Sequence, residues 1–145
     1  MATTINQLSV FVENKQGTIV EITQAIAEAE ISIRALSVAD TQGFGILRLI
    51  LSDAEKAKEV LSSKNCVVSV TKVIGVQIPD VPGGLSQVLK IAAENGINIE
   101  YLYAFITVSG QHAYVVLRVE DNESAAAIFE ENGIKLVSQG DIDAL

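Results

Sequence analysis

The chain has 145 residues, with 10 Lys plus Arg against 18 Asp plus Glu and a formal net charge of −8. That balance argues against a nucleic-acid groove or docking on anionic lipid, because both need clustered cations. Hydrophobic residues make up 49% and Cys66 is the single cysteine, which excludes a disordered chain and an intramolecular disulfide framework.

In chain order, Leu8, Val10 and Val12 alternate with Ser9 and Phe11, a strand pattern. Residues 13–17 (Glu-Asn-Lys-Gln-Gly) read as a turn. Ile19, Ile22, Ala25, Ile26 and Ala29 then recur at the spacing of an amphipathic helix. Residues 32–40 and 45–52 read as strands joined by a hairpin at Gln42-Gly43. Asp53 is placed to cap a second helix whose apolar face carries Ala54, Ala57, Val60 and Leu61. The β-branched run 67–73 predicts a further strand. Strands are then expected near 74–79, 98–107, 112–119 and 134–138, with helices near 84–95 and 122–132.

The order βαββαβ thus occurs twice, and the residues repeat with it. An offset of 66 residues superposes Gly17 on Gly83, Ala27 on Ala93, Glu28 on Glu94, Ile31 on Ile97, Ile33 on Ile99 and Leu36 on Leu102. Beyond the hairpin, which is longer in the second copy, the offset becomes 68. There Asp53 meets Asp121, Ala57 meets Ala125 and Leu61 meets Phe129. The reading is an α+β chain of two ferredoxin-like repeats, 1–73 and 74–145, each a four-stranded antiparallel sheet with two helices on one face. Apolar residues on both faces of 46–51 and 99–106 predict that the bare sheet faces are covered, the two copies packing together and two chains forming a homodimer. On that pattern Ile99, Tyr101, Tyr103 and Phe105 share one face of their strand.

The second copy carries a distinctive turn, Asp80-Val81-Pro82-Gly83-Gly84-Leu85. Pro82 suits a helix start, and Gly83 and Gly84 bare the N–H groups of that helix terminus. Such a terminus attracts anions. Asp80 beside it can accept from an ammonium group. Gly96 is placed as a helix stop, and Asn98 brings a donor and an acceptor to the start of the next strand. A carboxylate cradle beside an ammonium acceptor is what a free α-amino acid needs.

With Asp80–Leu85 and Gly96-Ile97-Asn98-Ile99 on a duplicated βαββαβ frame, the sequence resembles the ACT family of small ferredoxin-like modules that bind amino acids and regulate metabolic enzymes. It is most similar to tandem ACT proteins without an attached catalytic domain. The resemblance implies a free L-amino acid held where the first strand–helix loop of one copy meets the second strand of a neighbouring copy. By motif match it implies Asp80, Pro82, Gly83, Gly84, Leu85, Asn98 and Ile99 as ligand-binding residues. The first copy departs from the motif: Gln16 stands in place of Pro82, and Ser32 in place of Asn98. Its corresponding candidates are Asn14, Gly17, Thr18, Ile19 and Ser32. Regulation of a separate metabolic enzyme in trans, and a cytoplasmic location in the absence of a signal-peptide pattern, complete the expectation.

Chemistry of other kinds has little to draw on. One histidine, His112, and one cysteine provide neither metal spacing nor a nucleophile–base pair, so no metal, no cofactor and no catalytic residue is expected. An RNA-binding sheet would need a signature of clustered basic and aromatic residues on strands 45–51 and 113–119, which lack it. The alternatives to a sensor are a protein–protein interaction scaffold without ligand, or a small enzyme on the same fold.

Overall fold

The computed structural model describes residues 4–40, 43–106 and 112–145; Gln42 of the first hairpin and residues 107–111 of the second lie outside them. The elements run β1 (Ile5–Glu13), α1 (Thr18–Glu28), β2 (Ile33–Asp40), β3 (Phe44–Leu51), α2 (Ala54–Ser63), β4 (Val67–Pro79), α3 (Gly84–Glu94), β5 (Ile99–Ala104), β6 (His112–Val119), α4 (Asn122–Glu131), β7 (Lys135–Val137) and α5 (Gln139–Asp143). They form two compact units: Asn6–Thr71, and Lys72–Leu145 with Ile5.

Within Asn6–Thr71 the strand order is β2-β3-β1-β4; in the other unit it is β5-β6-β4-β7. These are the two ferredoxin-like repeats, each a four-stranded sheet, with β4 serving in both. Sequence pattern sets the boundary between the repeats at 73/74, with separate strands on either side. No Gly, Pro or turn residue interrupts 67–74, however, and β4 runs unbroken from Val67 to Pro79. The three-residue β7 pairs antiparallel with β4, Val76 opposite Leu136.

One face of each sheet meets its two helices. In the first unit Leu8, Val10, Val12, Leu47, Leu49 and Leu51 from the strands pack with Ile22, Ala25, Ile26, Ala57 and Leu61 from α1 and α2. In the second, Ile74, Val76, Val115, Leu117 and Val119 pack with Val88, Ala92, Ala125, Ala126 and Phe129. The period of 2 in the strands and 3.6 in the helices puts these residues on facing surfaces. Asp53 and Asp121 cap α2 and α4, their carboxylates accepting from Lys56 N–H and Ser124 N–H at 3.0 and 3.1 Å. The short α5, not anticipated, is held by a capping box between Ser138 and Asp141 and buries Ile142.

Two bulges change which side chains face the core. Between Ile99 and Tyr101 the register against β6 slips by one, so Ile99 pairs with Val119 and Tyr101 with Arg118. Ile99 therefore joins the helix-side core and not the face of Tyr101 and Tyr103, because an extra residue reverses the alternation. The same slip occurs between Ile33 and Ala35. Tyr101 and Tyr103 remain together, their rings 6.4 Å apart and stacked.

All four long helices end in the same way. At α3, Ile97 N–H donates to Ala92 O (2.8 Å) and Gly96 N–H to Ala93 O (3.4 Å), with Gly96 at φ 71°. This double closure requires a left-handed residue. Gly133 serves after α4, Asn65 after α2, and Glu30, at φ 59°, after α1. A glutamate pays about 1–2 kcal/mol for that conformation, partly offset because glycine costs about 0.5–1 kcal/mol more backbone entropy on folding. Glu30→Gly is thus expected to raise stability by about 0.5–1 kcal/mol, visible as a higher urea midpoint with unchanged slope. No gain would show that the left-handed strain at Glu30 is relieved elsewhere.

Candidate functional site

The two strand–helix loops have one backbone design. α1 begins after Gly17 at φ 90°, and α3 after Gly83 at φ 86°. Both glycines are in the left-handed region, where a side chain is strained, and neither helix start has a side-chain cap. At α1, Thr18 N–H donates to Lys15 O (3.4 Å) and Glu21 N–H to Gly17 O (3.1 Å); at α3, Gly84 N–H donates to Val81 O and Gln87 N–H to Gly83 O, each at 3.0 Å. Between them, the N–H groups of Ile19 and Val20, and of Leu85 and Ser86, meet no acceptor among the described residues. Each terminus therefore offers a pair of free donors at the positive end of the helix dipole.

The first unit has a cleft of ≈ 170 Å³ at this loop, lined by Val12, Glu13, Asn14, Lys15, Ile19, Val38 and Gly45. Val12, Ile19 and Val38 make its walls apolar, and an exposed Lys15–Glu13 ion pair (3.3 Å) sits at its rim. The Thr18 hydroxyl is shielded from solvent and has no hydrogen-bond partner, an exception among buried polar atoms. In the second repeat the equivalent residue is Gly84. A Cβ there would press into the carbonyl oxygen of Pro79, so that loop admits no hydroxyl-bearing residue at this point.

Of the expected site residues, Asp80, Pro82, Gly83, Gly84 and Leu85 lie together, as do Asn14, Gly17, Thr18 and Ile19. Asn98 and Ser32 do not join them within a unit. β4 leaves the sheet at Pro79, opposite His112, whereas β5 starts with Ile99, opposite Val119. The loop and Asn98 are thus at opposite ends of β6, on the order of 20 Å apart at the usual strand rise. In the first unit Glu13 pairs with Phe44, and Ile33 with Leu51, which separates Asn14 from Ser32 in the same way. Ser32 N–H donates to Ser52 Oγ, and Ser52 N–H to Ser32 O, both at 2.9 Å. Ile99 is partly buried, its side chain packed against the helix-side core.

Asn98 instead lines a separate cleft of ≈ 350 Å³ with Asn95, Gly96, Ile97, Val119, Glu120, Asp121, Ser124 and Ala125. Sequence reasoning passed over the acidic side of this cleft, and also Val38 in the first. The signal for the acidic side was present in the repeat alignment, which sets Glu120 against Ser52 and Ser124 against Lys56. Among the described residues no group of three or more His, Cys, Asp or Glu could hold a metal ion. His112 is exposed at the start of β6, and no described helix is long and apolar enough to cross a membrane.

The family model for an ACT domain pair matches residues 3–145. The chain is a tandem ACT protein. Among solved structures it is similar to a protein from Bacteroides thetaiotaomicron, at 35% identity over 99% of both chains with a TM-score of 0.91. It also shares its fold with the aspartate kinase regulatory subunits of Thermus thermophilus (17% identity, 90% and 93% of the two chains, TM-score 0.64) and Thermus flavus (18%, 90% and 93%, TM-score 0.60). A search of curated proteins finds no significant match. In the ACT pair the two strand–helix loops with left-handed glycines are thus a shared feature of both ACT repeats, and the differences between the repeats include residues 14/80, 15/81, 16/82, 18/84 and 32/98.

Proposed function

We propose that this ACT pair is a non-catalytic regulatory protein of amino-acid metabolism that binds a free L-amino acid at its strand–helix loops. The observation that carries the reading is the pair of unpartnered N–H groups behind a left-handed glycine at both helix starts. A ligand carboxylate accepts from them. In the first repeat the Thr18 hydroxyl adds a third partner and the apolar walls of the adjoining cleft take a neutral side chain. In the second, Asp80 takes the ammonium group. Asn98 and Ser32, at the far ends of their own sheets, contribute to the strand–helix loop of a neighbouring ACT copy, and two chains associate as a homodimer. The similarity of fold to aspartate kinase regulatory subunits supports action on a separate enzyme.

A thermal-shift screen of the twenty amino acids at millimolar concentration tests this. A ligand bound only by the folded state stabilises by about 2.7 kcal/mol at 100 times its Kd, several degrees in melting temperature for a chain of this size. A small set of neutral amino acids should raise the transition. Gly17→Ala and Gly83→Ala, made separately, should each reduce the response in the repeat they alter, because their Cβ projects into open space at the bare helix start. If no amino acid moves the transition and calorimetric titration is also flat, the sensor reading fails and an interaction scaffold without ligand takes its place.

A further inference from the structure

Of the seven asparagines in the chain, Asn95 and Asn132 precede a glycine. Both stand at the same place, just before the left-handed stop of a helix: Gly96 follows α3 at φ 71°, and Gly133 follows α4 at φ 77°. An asparaginyl–glycyl bond is open to attack on itself, because no Cβ shields the glycine nitrogen. Here that attack is held off in three ways. The side-chain Nδ2 of Asn95 donates to Ile91 O and that of Asn132 to Ile128 O, each at 2.8 Å, which folds both amides back along their helices. The glycine N–H groups are spent on Ala93 O (3.4 Å) and Glu130 O (3.1 Å). The asparagine ψ is 15° at α3 and 14° at α4. Cβ is then rotated far from the glycine nitrogen about the Cα–C bond, whereas closing a five-membered ring needs the two eclipsed.

We infer that these two bonds are deamidation sites gated by the helix stops: each is inert while its stop is wound and reacts when the stop opens. In the opened turn the glycine nitrogen gives up its proton and bonds to the asparagine Cγ. The Cγ–Nδ2 bond breaks, and Nδ2 departs as ammonia with a proton returned from solvent. Water then adds to the cyclic imide. Hydrolysis at the side-chain carbonyl leaves aspartate; hydrolysis at the main-chain carbonyl leaves isoaspartate, with the main chain rerouted through Cγ. Either product ends the donation to Ile91 O or Ile128 O and adds a negative charge at the negative end of the helix, so the stop rewinds more weakly. The sites belong to the second repeat alone. The repeat alignment sets Asn95-Gly96 against Ala29-Glu30 and Asn132-Gly133 against Lys64-Asn65, neither of which is an asparaginyl–glycyl bond. Both asparagines and both glycines are exposed, so water and base reach them. The inference concerns helix C-termini and does not rest on the amino-acid reading.

The test incubates the full chain in mildly alkaline buffer, with and without denaturing urea, and follows each asparagine by peptide mass spectrometry and an isoaspartate assay. In urea Asn95 and Asn132 should convert at similar rates, ahead of the other asparagines. In the native protein both should be slower by about tenfold or more, since reaction waits on local opening of the turn. Ala93→Gly alters an exposed position in the last turn of α3, and a retained thermal transition confirms its folding. In native buffer it should speed conversion of Asn95 about threefold, because glycine in place of alanine eases that turn open. It should leave Asn132 unchanged, and in urea it should change neither rate. Asn95→Asp, one product of the reaction, should melt at a lower temperature than the parent chain. Equal rates with and without urea, no response of Asn95 to Ala93→Gly, or an Asn95→Asp transition no lower than the parent's would each overturn the inference.

Discussion

Phe129→Ala should lower stability by about 3–5 kcal/mol, the usual cost of emptying a buried aromatic site. Phe129 is fully buried on the inner face of α4, among Val88, Ala92, Val115, Leu117 and Ala126. Its many small neighbours cannot close the void: the alanines are short, and the valines are stiff at χ1. The same position in the first repeat is Leu61, also fully buried. Phe129→Leu should therefore cost much less, about 1–2 kcal/mol, because leucine suits this place in the fold and leaves a smaller cavity. Urea unfolding measures both. Equal losses for the two variants would show that the aromatic ring, and not the filled volume, holds the second unit together.

The second large effect is expected at Gly84. Its neighbour Gly83 has nothing within 4 Å of an added Cβ, so Gly83→Ala is strained only by its left-handed backbone. Gly84 has an ordinary φ, but its Cβ would run into the Pro79 carbonyl oxygen. That carbonyl belongs to the last residue of β4, which pairs with His112, so it moves only if the ladder moves with it. Gly84→Ala should cost about 2–3 kcal/mol, the upper part of the overpacking range. It should also displace the start of α3 and abolish any amino-acid response of the second repeat. Thr18→Gly in the first repeat removes a side chain without relieving a clash. It should leave α1 in place and weaken only the binding in which its hydroxyl takes part. Denaturation midpoints paired with the thermal-shift response separate the two cases. A Gly84→Ala protein with normal stability and a full response would show that the close approach of Pro79 has no role in shaping the loop.

Much of this protein is written in local pattern. The duplicated βαββαβ order follows from apolar periods of 2 and 3.6. The aspartate caps at Asp53 and Asp121 and the helix stop at Gly96 need only their own few neighbours. The glycines at the two helix starts are legible for the same reason, as are the core residues, since Leu8, Val10 and Leu49 lie on the sheet face that the helices cover and Leu61 on the helix face that meets it. The short α5 was missed although its signal, Ser138 with Asp141 three residues on, is equally local. Other features depend on segments remote in sequence. The slip at Glu100 that turns Ile99 into the core depends on which β6 residue it faces. The separation of Asp80 from Asn98 depends on β4 and β5 meeting opposite ends of β6. The acidic cleft exists because Asn98 and Glu120 are neighbours across two loops that are remote in sequence. Strand register is a pairing between distant segments, and a shift of one residue reverses every side chain on a strand. The sequence by itself therefore determined the repeats, the helix termini and their free N–H groups. Which of those groups share a site was decided only by tertiary pairing, because the hydrogen bonds that set it run between strands and not along them.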